Sequence, residues 1–373
     1  MRLRRPAGAI VLLLTCALAW QAGGSPPVAA SSPGIAASGP FLVSATGEAL
    51  RLAGVNRSGT EYACVQGHGI FDGPSDAASI AAMAAWHVNS VRVPLNEDCW
   101  LGINGVPAAY SGVAYQAAIA QYVELLHQQG LFVILDLHWA APGTVPATRQ
   151  LVMADADHAP SFWSSVATTF KADPAVIFDL YNEPTIDTGD AQTSDPWTCW
   201  RDGCAIDPGD GVAYAWHSAG MQQLVDAVRA TGARQLVMAG GLAHANDLSG
   251  WLAHRPSDPA GQLAASLHVY NFNACSAASC WTAQVAPVAR QVPVITGELG
   301  EDDCAGGFID GYMGWADLTG VSYAGWTWDT WDCRSGPALI SDYSGTPTAF
   351  GAAYRDHLAS PQISLWSTVR RAR

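Results

Sequence analysis

Short apolar runs alternate with longer stretches whose apolar positions recur at helical spacing, from residue 50 to residue 359. The runs "LRLAGVN" (50–56), "NSVRVPL" (89–95), "LFVILDLHW" (131–139) and "AVIFDLYNEP" (175–184) predict the first four strands. "RQLVMAGGL" (234–242), "LAASLHVY" (263–270), "VPVITGEL" (292–299) and "VSYAGWTW" (321–328) predict the other four. Near-continuous apolar runs are the pattern of strands covered on both faces. Between them lie predicted helices, beginning with "SDAASIAAMAAWHV" (75–88), capped by Ser75 or Asp76, and "GVAYQAAIAQYVELLHQQG" (112–130), which Gly130 ends. Further helices are expected at 161–171, 215–232, 245–254, 281–291, 307–320 and 347–359. Eight strand and helix pairs in one series imply a parallel sheet, and no Gly-x-Gly-x-x-Gly turn follows the first strand to favour an open, doubly wound one. The expectation is an α/β fold of a single domain, a closed (β/α)8 TIM barrel with its chemistry at the C-terminal strand ends.

The two ends of the chain have a different character. Arg2, Arg4 and Arg5, the apolar "AIVLLLTCALA" and the small-residue site Ala17-Leu18-Ala19 read as a secretory signal peptide over 1–19, with cleavage as late as about residue 30. The apolar run is too short for a membrane span. A lipoprotein anchor at Cys16 is the weaker alternative, because Thr15 is a poor match to the small residue such sites prefer. Residues 20–39, rich in Pro, Gly, Ala and Ser and without charge, read as a disordered linker. The catalytic domain is then expected over 40–360 and a tail over 361–373.

Export makes the cysteines informative. Of nine, only Cys16 lies in the signal, and the even remainder argues disulfides. Proximity pairs Cys199 with Cys204 and Cys275 with Cys280, which leaves Cys64 with Cys99 and Cys304 with Cys333. There is no Cys-x-x-Cys pair, and no His or carboxylate cluster stands at ligand spacing, so no metal or other cofactor is expected. Lys and Arg total 18 against 32 Asp and Glu, and loss of the three signal arginines takes the net charge from -14 to -17. So acidic a surface repels nucleic acid and anionic membranes and suits a neutral substrate. A monomer is expected. Fifteen tryptophans serve either core packing or the stacking of sugar rings.

The residues at the predicted strand ends turn this frame into a chemical expectation. Strand two carries Arg92, strand three ends at His138-Trp139, and strand four ends at Asn182-Glu183-Pro184. Strand six gives His268 and Tyr270, strand seven Glu298, and strand eight Trp326 and Trp328. Each alone has a structural explanation; together on one rim they converge. The ordered set "VRVPL", "LDLHW", "LYNEP", "LHVY", "ITGEL" and "GWTW" resembles glycoside hydrolase family 5, which includes many cellulases and other β-glycanases. The resemblance covers nearly the whole chain beyond the linker, and it implies Glu183 as acid/base and Glu298 as nucleophile.

Retention requires one carboxyl group to protonate the leaving oxygen and a second, about 5 Å away, to attack the anomeric carbon. Glu183 is therefore expected to start protonated, its pKa raised by the charge of Glu298. Arg92 would keep Glu298 ionised, with Tyr270 donating to the same carboxylate. Asn182 would hold the sugar 2-hydroxyl, His138 and His268 would contact the sugar or orient the acids, and Trp326 would floor the ring. Trp328 is a rival, since the period-two rule puts both indoles on one face. Trp197, Trp200, Trp281 and Trp331 are further stacking candidates, and the long segments 57–74 and 185–211 have no family motif. The leading expectation is a secreted retaining endo-β-1,4-glucanase acting on a polysaccharide or oligosaccharide. A mannanase, an exo-β-glucosidase or a transglycosylase shares the same catalytic set, and an inactive carbohydrate-binding protein is the reading from another class. An esterase is disfavoured because Gly-x-Ser-x-Gly is missing.

Overall fold

The computed structural model describes residues 34–189, 191–332 and 336–360. The signal peptide, most of the linker, the tail and Cys333 lie outside them. Eight strands close a barrel: β1 (Ala53–Asn56), β2 (Ser90–Asn96), β3 (Phe132–Trp139), β4 (Val176–Asp179), β5 (Val237–Gly240), β6 (Leu263–Tyr270), β7 (Val294–Gly300) and β8 (Ser322–Gly325). Each pairs in parallel with its sequence neighbours, and β8 returns to β1. The expected TIM barrel is therefore present, because the doubly apolar runs are buried along their whole length, as in β2, β6 and β7.

Local departures have local causes. β4 stops at Asp179, well short of Pro184, although Leu180 N still donates to Met238 O and Asn182 N to Leu137 O. The helix expected from residue 215 begins at Met221, because Trp216–His217 pairs instead with Ala205–Ile206 in a small ribbon above the barrel. Of the helix expected at 245–254 only Trp251–His254 forms. The linker also ends earlier than its composition suggested. Ile35–Ser38 and Phe41–Ser44 form an antiparallel hairpin whose Ile35 and Leu42 pack against Phe132, Ile134, Ile177, Leu236 and Ile295. That hairpin has few large apolar residues, and its order comes from this packing rather than from its own propensity.

Three disulfides are formed among the described residues, Cys64–Cys99, Cys199–Cys204 and Cys275–Cys280. Cys304 is also disulfide-bonded. The first bridge ties segment 57–74 to the exit of β2, and the second closes a turn within 185–211. At β7 the register with β6 slips between Leu267/Thr296 and His268/Glu298, which leaves Gly297 as the extra residue of a bulge. A Cβ there would stand 3.0 Å from His268 Nε2 and 3.2 Å from Ser266 Oγ and would press on the imidazole, so glycine lets His268 and Glu298 come side by side without displacement.

Candidate active site

Arg92 is the hub of the barrel mouth. Its guanidinium is fully buried, where an unpaired charge would be untenable, and every nitrogen is engaged. Nη1 donates to Glu298 Oε1 at 2.9 Å and to Asn56 Oδ1 at 3.1 Å. Nη2 donates to Asn182 Oδ1 at 2.9 Å and lies 3.0 Å from Asp136 Oδ2, while Nε donates to Asp179 Oδ2 at 3.0 Å. Three carboxyl groups thus face one cation. Burial pushes the Asp179 carboxyl up to about 7 despite Arg92. Glu298 receives a second donor, Tyr270 Oη, at 2.6 Å. The Tyr270 hydroxyl is held far above its ordinary value by burial and by Glu298, and it remains a donor throughout the physiological range.

Glu183 stands across the mouth in a different setting. One oxygen of each glutamate falls, with a nitrogen of His268, in a group whose atoms lie within 4.8 Å of one another. His268 Nδ1 is 3.1 Å from Glu183 Oε1 and 3.6 Å from Glu298 Oε2, so the imidazole sits between the two carboxylates. His244 Nδ1 approaches Glu183 Oε2 at 3.6 Å from the more open side. With Arg92 and Tyr270 already on Glu298, the group is a hydrogen-bonded carboxylate pair rather than an open ligand set for a cation.

The expected elevation of Glu183 is not what these neighbours produce. Burial pushes its carboxyl up, but pairing with His244 and His268 outweighs that and holds it well below the ordinary carboxylate range. The hydrogen bond to Glu183 in turn raises His244 against its burial. The expectation weighed Glu183 against Glu298 only, without the charge of His268 and without His244.

Backbone conformation explains how these side chains meet. Glu183 has φ +47°, and Ala243, His244 and Ala245 have φ +53°, +58° and +56°. Non-glycine residues in the left-handed region cost roughly 1–3 kcal/mol each, and such strain clusters where geometry matters. His244 N donates to Pro184 O at 3.0 Å, which folds the left-handed turn after β5 onto the end of the Asn-Glu-Pro segment. His244 was missed because the survey of strand ends passed over β5; "GGLAHA" would have supplied it.

The remaining expected residues divide clearly. His138 Nδ1 lies 2.7 Å from Asp136 Oδ2, and although burial opposes its charge, that bond raises its pKa. Asn182 Nδ2 donates to Gln150 Oε1 at 2.9 Å, while Gln150 Nε2 returns a bond to Asn182 O at 2.6 Å. Trp326 is half-buried and stacks on His138 with centroids 5.6 Å apart and planes 9° from parallel. Trp328 is fully buried, edge-on to Trp86. The period-two argument fails because β8 ends at Gly325, before either indole. Trp200 and Trp281 are core residues; half-buried Trp197 packs on Trp200 and His254. Trp331 stays half-buried near Trp326 and Tyr62, the latter brought in by segment 57–74. Asp136, Asp179, Asn56 and Gln150 were also missed; Asp136 was legible, two residues before His138 on the same face of β3.

Comparison with known proteins gives the family and matches the fold. The family model for cellulase (glycosyl hydrolase family 5) matches residues 43–332. The chain is 23% identical over 319 residues to endoglucanase CelA of Streptomyces lividans, covering 79% of this chain and 59% of that protein. It therefore spans less than two thirds of that relative's length. Among solved structures, a β-glucanase from Saccharophagus degradans in complex with cellotetraose superimposes with TM-score 0.67 at 20% identity, covering 92% of this chain and 99% of the other. The catalytic domain of endoglucanase Cel5A from Thermobifida fusca gives TM-score 0.58 at 18% identity, with 87% and 97% covered.

Proposed function

The chain belongs to the cellulase family, glycosyl hydrolase family 5, and from that premise we propose that it is a secreted endo-β-1,4-glucanase that works with retention through Glu298 and Glu183. The observation that carries the reading is the carboxylate pair: oxygens of the two glutamates lie within 4.8 Å. Retaining glycosidases hold the pair about 5–5.5 Å apart, inverting ones roughly 6.5–9.5 Å apart to admit a water. The endo-glucanase reading draws on the activities named for the relatives and on an acidic surface suited to a neutral glycan. Secretion draws on the leader sequence, on the disulfides, and on no described helix being long and apolar enough to cross a membrane.

In the first half-reaction Glu298 attacks the anomeric carbon while the leaving oxygen takes a proton from the Glu183 side. Glu298 must be ionised to attack, and Arg92 Nη1 and Tyr270 Oη both donate to it. Asn182 is fixed on two sides, by Arg92 at Oδ1 and by Gln150 at Nδ2, which leaves one Nδ2 hydrogen for the sugar 2-hydroxyl. Trp326, braced by His138, is the platform for the ring. In the free protein the proton needed by the leaving group resides on the imidazole side of the Glu183–His244 pair. It moves to Glu183 once sugar displaces water and the ion pair loses its screening partner. In the second half-reaction Glu183, again ionised, takes a proton from water, whose oxygen displaces Glu298 from the anomeric carbon. Two inversions restore the β configuration.

The test is the release of reducing ends from a panel of β-1,4-glucan, mannan and xylan, with product lengths followed over time. Fast loss of β-1,4-glucan chain length with mixed cello-oligosaccharides is expected. Preference for mannan, or release of glucose alone, would reassign the substrate or the mode of attack.

A further inference from the structure

A second group of buried carboxylates lies among the segments that follow β2 and β3. Glu97 follows directly on β2, Asp155 forms a bridge to Ser218, and His158 immediately precedes the helix Ala159–Phe170. The Glu97 and Asp155 side chains are fully buried, and His158 closes the group at 24% exposure. His158 Nδ1 lies 3.9 Å from Glu97 Oε1 and 3.8 Å from Asp155 Oδ1, and one ligand atom from each residue falls within 4.8 Å of the others.

What distinguishes this group is the donors it lacks. Ala141 N reaches Glu97 Oε1 at 3.4 Å and His158 N reaches Asp155 Oδ1 at 2.7 Å, yet among the described residues no N–H group is directed to Glu97 Oε2 or Asp155 Oδ2, and the Asp155 carboxyl is otherwise hydrogen-bonded to the carboxyls of Glu97 and Asp157. Nor does a Lys or Arg among them pair with either carboxylate. The neighbouring acids are provided for: Asp98 accepts from Ala147 N and Asn104 Nδ2, and Asp157 from Gly143 N. Two desolvated carboxylates in contact cannot both stay ionised without a counter-charge. They must keep a proton or bind a cation. Burial does push both carboxyls upward, Glu97 strongly, so the proton is a real competitor.

We propose that Glu97, Asp155 and His158 form a structural divalent-cation site, best matched to Zn2+, that fastens segment 140–158 to the end of β2. An imidazole nitrogen with two carboxylates suits zinc, whereas calcium favours six to eight oxygens. Zinc to nitrogen and oxygen distances of about 2.0–2.2 Å put tetrahedral ligands roughly 3.4 Å apart, so the observed 3.8 and 3.9 Å close with shifts of a few tenths of an ångström. Nδ1 would be the ligand atom, which needs the tautomer protonated at Nε2; its present contact to Ala141 O, at 3.4 Å, is weak. A water would complete the shell. The ion would also have a consequence at the mouth, since the segment it fastens carries Gln150, the partner of Asn182.

The test uses the whole mature protein, stripped with chelator and titrated with Zn2+ alone, read by calorimetry, by metal content after dialysis and by thermal melting. Uptake of about one zinc per chain is expected, with the melting temperature rising by a few degrees at a hundredfold excess over Kd. Glu97→Gln should weaken binding at least 100-fold and remove the thermal response. His158→Ala, at the partly exposed edge, should weaken it about 10- to 100-fold and decides the matter if Glu97→Gln does not fold. Absence of zinc uptake by the parent, or uptake undiminished in both variants, would overturn the site. So would a Glu97→Gln protein melting at or above the parent and a parent indifferent to zinc, the signature of a shared proton.

Discussion

The two sides of the barrel mouth solve opposite problems with the same residue type. The hydrogen bonds to Glu298 come from groups that do not titrate near neutrality, a buried guanidinium and a phenol whose proton is locked on by its surroundings, with His268 farther off at 3.6 Å. Glu183 is held by two imidazoles, one of them more than half exposed. A nucleophile has to be ionised whenever substrate arrives, whereas an acid/base has to change state twice in every turnover. Fixed charges suit the first and titratable ones the second. The contrast teaches that the division of labour is written in the neighbours, since the two glutamates are chemically identical.

The strongest way to break the comparison is to remove the nucleophile. Glu298→Ala should abolish turnover of every substrate, a loss on the order of 8 kcal/mol if the missing step carries a millionfold share of the rate. Next in size is the cation that serves it. Arg92→Met leaves Asp136, Asp179 and Glu298 without a counter-charge in a buried setting, and denaturant unfolding should show about 3–5 kcal/mol lost. An unfolding free energy within 1 kcal/mol or so of the parent's would mean that these carboxyls simply protonate and that Arg92 is dispensable.

On the other side the losses should depend on the substrate. Glu183→Ala should cost about 100- to 10,000-fold on natural glucan, where the leaving oxygen needs a proton, and far less in the glycosylation of an aryl glycoside with a good leaving group. Equal losses on both would remove Glu183 from the acid's role. The smallest effect concerns His244. In the parent, the last proton shared by Glu183 and His244 departs at the raised value of the imidazole, and this sets the basic limb of kcat/KM. His244→Asn takes away the imidazole whose raised value holds that proton and leaves Glu183 with His268 only, so the basic limb should move to lower pH while the nucleophile is untouched. A pH profile superimposable on the parent's would separate His244 from the proton inventory.

The barrel was legible because strands buried on both faces carry a signal that no loop imitates, and six strand ends already held the polar set of the mouth. What stayed hidden depends on tertiary context. The first strand of the hairpin, Ile35–Ser38, reads as linker because its few apolar residues have meaning only against the barrel floor. Strand β4 reads four or five residues too long, since nothing in "LYNEP" announces a glutamate at φ +47°. The end of β5 went unread, which hid His244 and, with it, the direction of the Glu183 pKa. Trp326 and Trp328 looked equivalent under a period that ended one residue before the first of them. Glu97, Asp155 and His158 were invisible as a group because a strand end and a loop must fold together to assemble them.

The assignment of opposite roles is tested most directly by azide rescue of the two alanine variants with an activated β-glucoside, reading the product anomer by proton NMR. Azide should accelerate Glu183→Ala, because it attacks the glycosyl ester without needing a base, and give the β-glucosyl azide after two inversions. In Glu298→Ala it can enter only where the carboxylate was, and any product should be the α-glucosyl azide from a single inversion. The β-azide from Glu298→Ala, or the α-azide from Glu183→Ala, would contradict the account.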